Sequence, residues 1–288
     1  MTEISASLVK ELRERTGMGM MDCKQALLES NGDIEQAIEE LRKSSGIKAS
    51  KKAGRSAADG ILQIQLVNSV GFMVEINCET DFVAKDGSFV EFSEEVLKVL
   101  SSGEYLELDQ LMAGDLNDKR EKLVQKLGEN IVVRRVFISD SADHTGVYLH
   151  SNKKIACIVC LKGGNEEVAK DIAMHIAATD PLAITPQDIP EETIKKEKEI
   201  FEAQSADSGK SAEIIVKMVE GKVKKFLSEV SLTEQDFVKD PGLKIKSLLD
   251  KNKAEVIQFK RFEVGEGIER SEERRVGKEC RSRWSPYH

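Results

Sequence analysis

Residues 77–86 read Asn-Cys-Glu-Thr-Asp-Phe-Val-Ala-Lys-Asp, a polar stretch with one large ring, Phe82, between two strand-like runs and a helix. A phenylalanine among polar neighbours is either a plug for its own core or a tool for intruding on a partner, and here it reads as the tool. Two other groupings could do chemistry. Cys157 and Cys160 have the C-x-x-C spacing of a redox or zinc pair, but Ile155 to Leu161 reads as a buried strand, on which positions three apart face opposite ways. No second pair accompanies them and no strand-to-helix setting surrounds them, so they read as core thiols. With Cys23, Cys78 and Cys280 the chain has five scattered cysteines, which fits reduced thiols better than a disulfide framework. His144, His150 and His175 are not grouped with a nucleophile and an orienting acid, and no G-x-x-x-x-G-K-S phosphate loop occurs. An enzyme built on these cysteines or histidines is therefore a rival without a constellation.

Composition bounds the frame that must hold Phe82. In 288 residues, 33% are charged, 40% hydrophobic and 5% aromatic, which suits two or three small soluble domains better than one large core. No stretch approaches 18 apolar residues, and the first thirty positions lack a charged start followed by an apolar block. Neither a membrane span nor a secretory signal is expected, and the chain reads as cytoplasmic. The net charge of −8 argues against a general nucleic-acid coat, which needs an excess of Lys and Arg.

Residues 1–45 read as three short helices. Ile4, Leu8 and Leu12 recur in the first; Cys23, Ala26 and Leu27 share a face in the second; Ile34, Ala37, Ile38 and Leu41 stripe the third. Asn31-Gly32 closes the second helix, and Asp33 with Gln36 offers a capping box for the third. Between the first two, Thr16 to Asp22 holds two glycines for a tight turn and Met18, Met20 and Met21, which are either core filler or an adaptable docking patch. Residues 46–59 continue a basic run begun at Arg42 and Lys43 and read as a flexible linker. A single-stranded RNA contact is the sharper alternative for that run, but no aromatic interleaves the charges to stack a base.

Over 60–140 an α+β subdomain is expected: alternating strands through Leu62–Leu66 and Phe72–Ile76 around a turn at Asn68-Ser69, the Phe82 loop, two helices and a strand at 131–137. Two strands, a loop and a helix then recur about 85 residues later, which predicts a second, related subdomain over 141–189 and 231–265. Residues 190–230, nearly all charged or apolar, read as an inserted antiparallel helical hairpin of coiled-coil type. Residues 266–288 read as the remnant of a C-terminal module. Within it, 271–288 holds the only Trp, a fifth Cys and five bases without any period, and reads as an artefactual tail.

Three segments resemble the bacterial translation elongation factor Ts family, the guanine-nucleotide exchange factors of elongation factor Tu. They are Leu12-Arg13-Glu14-Arg15-Thr16-Gly17-Met18-Gly19-Met20-Met21-Asp22-Cys23-Lys24-Gln25-Ala26-Leu27, then Glu75-Ile76-Asn77-Cys78-Glu79-Thr80-Asp81-Phe82-Val83, and near the end Arg261-Phe262-Glu263-Val264-Gly265-Glu266-Gly267-Ile268-Glu269. The order of segments matches the family from residue 1 to about 270. The resemblance implies an N-terminal three-helix, UBA-like domain that docks on elongation factor Tu, a core of two related α+β subdomains and the inserted hairpin. It implies partner contacts at Arg13, Met20, Met21, Asp81, Phe82 and His150, with Asp81, Phe82 and Val83 disturbing the partner's Mg²⁺ site. The implied partner is elongation factor Tu, GDP-bound and nucleotide-free, with a homo-oligomer of such complexes left open. No cofactor, metal, catalytic residue, membrane or direct nucleic-acid contact of its own is implied. The family's chain continues past the Glu-Gly-Ile-Glu segment into a helical C-terminal module that the aberrant tail replaces here. The second rival reading, an RNA-binding adaptor using the helical module and the basic run, is disfavoured by the acidic body.

Overall fold

The computed structural model describes residues 4–104, 107–206 and 212–268, so the suspected tail at 271–288 lies outside the described residues. The expected α+β class holds. The described residues fall into two compact units, one within Met1–Gln63, Val74–Val136 and Glu263–His288, the other within Ile64–Met73 and Phe137–Phe262.

The chain begins with α1 (Ala6–Thr16), α2 (Met20–Glu29) and α3 (Ile34–Lys52). The Ser5 hydroxyl caps α1 by accepting from the Leu8 N–H at 3.3 Å, and the Asp33 carboxylate caps α3 by accepting from the Gln36 N–H at 3.1 Å. Leu12, Cys23, Leu27, Ala37 and Leu41 bring all three helices to one core. Next come β1 (Asp59–Val67), β2 (Val70–Cys78), α4 (Asp81–Ala84), α5 (Gly87–Leu100), α6 (Leu108–Leu111), α7 (Asp115–Leu127) and β3 (Val132–Ile138). The strands form one sheet in the order β1-β2-β3. Asn68 and Ser69 turn the hairpin with φ of 47° and 67°, the left-handed pair that a two-residue hairpin turn demands.

The stretch read as a flexible linker is helical as far as Lys52. Some of its charges have partners: Arg42, itself exposed, pairs with Asp118 of α7, and Lys48 with Asp22 of α2 at 2.8 Å. Lys52 Nζ donates to the Val124 carbonyl at 3.5 Å, near the end of α7 where a cation is favoured, although burial lowers its ammonium pKa. Ser45 and Ala49 are buried on the inner face.

In the middle strand of this sheet Glu75 is fully buried. Its carboxylate accepts from Arg134 Nη1 at 3.1 Å, Asn77 Nδ2 at 3.1 Å, the Gly265 N–H at 2.9 Å and Arg135 Nε. Burial works to raise this carboxyl, but the Gly265 amide, Arg135 and Asn77 outweigh it and hold it below the usual range. Gly265 is required there, since φ is 76° and a Cβ would lie 2.3 Å from the Ala58 carbonyl oxygen.

The second unit holds β4 (His144–Leu149), β5 (Ile155–Gly163), α8 (Glu166–Thr179), α9 (Glu191–Ala206), α10 (Ala212–Val230), β6 (Asp236–Phe237), β7 (Asp240–Lys244) and α11 (Ile245–Lys251), with β8 (Ala254–Glu263) running to its end. β4 pairs antiparallel with β5, His144 opposite Leu161 and Leu149 opposite Ala156, and β8 lies on the other side of β5. α8 lies close enough on β4 that a Cβ at Gly146 would meet the Ala169 carbonyl at 2.1 Å. The core joins Cys157, Val159, Leu161, Ile172, Ile176 and Leu249. α9 and α10 pack side by side, Phe201 against Phe226 and Lys222 near Gln204 and Ser205, pairings that run antiparallel. Residues 207–211 between them lie outside the described residues. The short β6–β7 pair carries no clear sequence signal, because Pro241-Gly242 in its second strand reads as a break rather than an edge.

Candidate partner-binding site

The Phe82 segment is a single helical turn rather than an irregular loop. Thr80 is extended (φ −132°, ψ 156°), and its hydroxyl accepts from the Val83 N–H at 3.4 Å while its carbonyl accepts from the Ala84 N–H at 3.2 Å. The Lys85 and Asp86 amides then bond to the Phe82 and Val83 carbonyls at 3.2 and 3.0 Å. Asp86 caps α5, accepting from the Ser88 N–H at 2.8 Å. Burial works to raise its carboxyl, but the bonds from Ser88 and the Phe89 amide outweigh that and hold it below the usual range.

This turn has an inside and an outside. Val83 and Ala84 are 9% and 4% exposed, whereas Phe82 is 82% exposed. The order Asp-Phe-Val-Ala places two apolar anchors directly after the ring, so their burial drives Phe82 outward. Asp81 is exposed as well and bridges Lys85 at 2.8 Å, which raises the lysine pKa. Behind the turn, the Glu129 carboxylate accepts from the backbone N–H groups of Glu79 and Thr80, each at 3.0 Å, and from the Thr80 hydroxyl at 2.6 Å.

The methionine corner divides. Met18 enters the three-helix core at 5% exposure, while Met20 and Met21, at the start of α2, are 60% and 77% exposed. Gly17, at φ 69°, ends α1 and sends its N–H to the Arg13 carbonyl at 2.7 Å, which turns the chain so that both methionines face outward. Arg13 is exposed on α1. Thr16 and Met18 border a shallow depression of about 240 Å³ whose other lining includes Ser88, Phe92 and Lys126. The methionine corner and the start of α5, a few residues beyond Phe82, therefore share one concavity.

Of the residues predicted for partner contact, Arg13, Met20, Met21, Asp81 and Phe82 are exposed on the first unit. Val83 shares the Phe82 turn but is buried, so its side chain holds the turn and does not reach outward. His150 is exposed in the second unit, on the turn between β4 and β5, with its N–H bonded to the Ile155 carbonyl at 2.9 Å and its ring edge-on to Tyr148. Glu129 was missed in the sequence: it lies 49 positions from Thr80, and a Gly-Glu-Asn after a helix reads only as a loop.

The enzymatic rivals gain no support from the geometry. Cys157 and Cys160 are both buried on β5, and burial pushes the Cys157 thiol far up. His175 is buried, its Nδ1 accepting from the Val238 N–H at 3.2 Å and its Nε2 2.9 Å from Gln235 Oε1. Among the described residues no group of three or more His, Cys, Asp or Glu is disposed to hold a metal ion, and no helix is long and apolar enough to cross a membrane.

Comparison with known proteins gives a consistent result. The family model described as Elongation factor TS matches residues 79–266. The chain is 54% identical over 274 residues to the Elongation factor Ts of Hahella chejuensis, covering 94% of this chain and 96% of that protein. It is 53% identical to that of Marinobacter nauticus, covering 94% of each. With that of Francisella tularensis subsp. novicida it shares 47% identity over 279 residues, covering 95% of this chain and 96% of the relative.

Proposed function

The chain belongs to the elongation factor Ts family, and we propose that it serves translation elongation as the guanine-nucleotide exchange factor of elongation factor Tu, binding the GDP form and speeding GDP release by disturbing the Mg²⁺ and phosphate-loop site. In this reading Arg13, Met20 and Met21 anchor the three-helix segment on the nucleotide-binding domain of the GTPase. Phe82 wedges between two of its helices beside the Mg²⁺ site. Asp81, on leaving Lys85, competes for the hydrogen bonds or metal coordination that hold the diphosphate, and Val83 keeps the wedge seated. His150 touches a more distant domain of the partner. The three-helix segment acts as the UBA-like docking domain, the two sheet-and-helix regions as related subdomains, and α9 with α10 as a coiled-coil arm. No covalent bond is made or broken.

Energetics explain why several contacts are needed. Speeding release a thousandfold means lowering its barrier by about 4 kcal/mol, at about 1.4 kcal/mol per tenfold. Burying one phenylalanine contributes roughly 1.5 to 3 kcal/mol, so Phe82 alone falls short. The remainder must come from contacts that favour the nucleotide-poor state, since a factor binding both states equally shifts nothing.

The single observation that carries this reading is the 82% exposure of Phe82 on a turn whose other apolar residues are buried. The test is release of labelled GDP from elongation factor Tu. Phe82→Ala is expected to slow release at saturating factor by about 10- to 100-fold, the equivalent of one lost ring burial, while much of the binding persists. A release rate equal to that of the unaltered protein refutes the wedge.

A further inference from the structure

We infer that Glu129 is a positioning residue for exchange: its carboxylate fixes the Thr80 turn so that Phe82 meets the GTPase already oriented. This rests on the wedge role proposed above and adds to it a residue that acts through the turn.

The geometry points to Glu129 through the number and placement of its bonds. One carboxylate serves three donors from two consecutive residues: the Glu79 and Thr80 amides at 3.0 Å each and the Thr80 hydroxyl at 2.6 Å. A carboxylate is an acceptor with several lone pairs and no donor, so it can serve all three at once. The arrangement is reciprocal, because the Glu79 carboxylate in turn accepts from the Asn130 N–H at 2.8 Å. Two short segments distant in sequence thus hold each other through crossed carboxylate-to-amide bonds. Asn130 is 2% exposed, and its side-chain amide donates to the Ala53 and Arg55 carbonyls at 3.3 and 2.9 Å, which ties the pair to the end of α3. On the other side Gly128, at φ 81°, ends α7 and aims Glu129 at the turn.

The Thr80 hydroxyl transmits this restraint. Its one proton goes to Glu129, and a lone pair accepts from the Val83 N–H, the first bond of the turn that presents Phe82. Without Glu129 the hydroxyl can rotate away and the amides before it lose their acceptor, so the ring is carried on a loose segment. Ordering such a segment at the moment of docking costs conformational entropy for each residue fixed. A brace formed beforehand removes that cost where it matters, in the state with the wedge inserted.

The test is a double-mutant cycle on the full chain with elongation factor Tu and labelled GDP. Glu129→Ala is expected to slow release at saturating factor at least tenfold, with the half-saturating concentration within about threefold of the original, because the Met20 and Met21 contacts are untouched. In the Phe82→Ala background the same substitution is expected to change release by less than about twofold, since there is no ring left to position. Glu129→Gln, which keeps an oxygen for the two amides, is expected to recover most of the rate. Should Glu129→Ala fold poorly, Thr80→Val removes the hydroxyl while leaving both amide bonds, and is expected to show a smaller slowing that likewise vanishes without Phe82. Slowing by Phe82→Ala together with an unchanged Glu129→Ala or Thr80→Val rate overturns the role of Glu129 alone. Equal slowing in both backgrounds reduces it to general stability and also overturns it, whereas an unchanged Phe82→Ala rate overturns the wedge itself.

Discussion

The exposed apolar side chains proposed for partner contact in the first unit divide by what supports them. Phe82 stands on a turn pinned by Thr80, Val83 and Glu129, so its position is fixed while its ring is solvated. Met20 and Met21 stand at a helix start, unbranched and adaptable, on a corner whose third methionine is buried. A rigid ring suits an interaction that must be made in one geometry, and flexible thioethers suit one that need only be apolar. The two sets should therefore report differently in exchange kinetics. Replacing Met20 and Met21 together by serine is expected to raise the concentration for half-maximal exchange by about 10- to 100-fold, since full burial of each is worth about 1.5–3 kcal/mol and both are already partly covered. The maximal release rate is expected to stay within about threefold. A titration of labelled-GDP release against factor concentration separates these effects, and a fall in the maximal rate at unchanged half-saturation would reverse the assignment.

Elements were legible where their own residues settle them and illegible where distant partners do. The stripes of α1 and α2, the Asn68-Ser69 turn and the two helices after Pro190 are carried by local periodicity and turn chemistry. The last turns of α3 are not: Lys48, Lys51 and Lys52 look like a solvated run until Asp22 and the Val124 carbonyl are brought beside two of them. α4 looked like loop because four residues carry no period, and its brace lies in another part of the chain. The exposed ring itself was legible, being the one large apolar group in a polar run, but the reason it holds still was not. The join between α1 and α2 gives an element-scale prediction. Gly17→Ala puts a Cβ on a residue at φ 69°, where nothing crowds the side chain but the backbone is strained. A loss of about 1 kcal/mol in denaturant unfolding of the first unit is expected. The half-saturating concentration for exchange is expected to rise as well, because this join sets where Met20 points, and no change in either quantity would separate the cap from the corner.

Across the described residues, each unit buries a titratable group that ties its stability to pH on the acid side, and the windows differ. In the second unit His175 accepts the Val238 amide at Nδ1, so the neutral ring carries its proton on Nε2 and donates to Gln235, while Phe237 stacks obliquely 6.1 Å away. Burial lowers its pKa from the ordinary 6.5, partly offset by the bond to Gln235. The unfolded chain therefore takes up this proton more readily than the folded one. The contribution is complete above 6.5 and is lost as pH falls below it. In the first unit Glu75 is held below the ordinary 4.5, so its contribution is complete above that value and is lost only as pH falls through the lowered one. Mild acid should thus loosen the second unit while the first, with Phe82 and the methionine corner, stays intact. Hydrogen exchange followed by mass spectrometry from neutral pH downward is expected to show α8 and β6 losing protection below 6.5 while β2 keeps its own to below 4.5. His175→Asn is expected to flatten the first step without moving the second. Simultaneous loss in both units would mean that neither buried group controls its own unit.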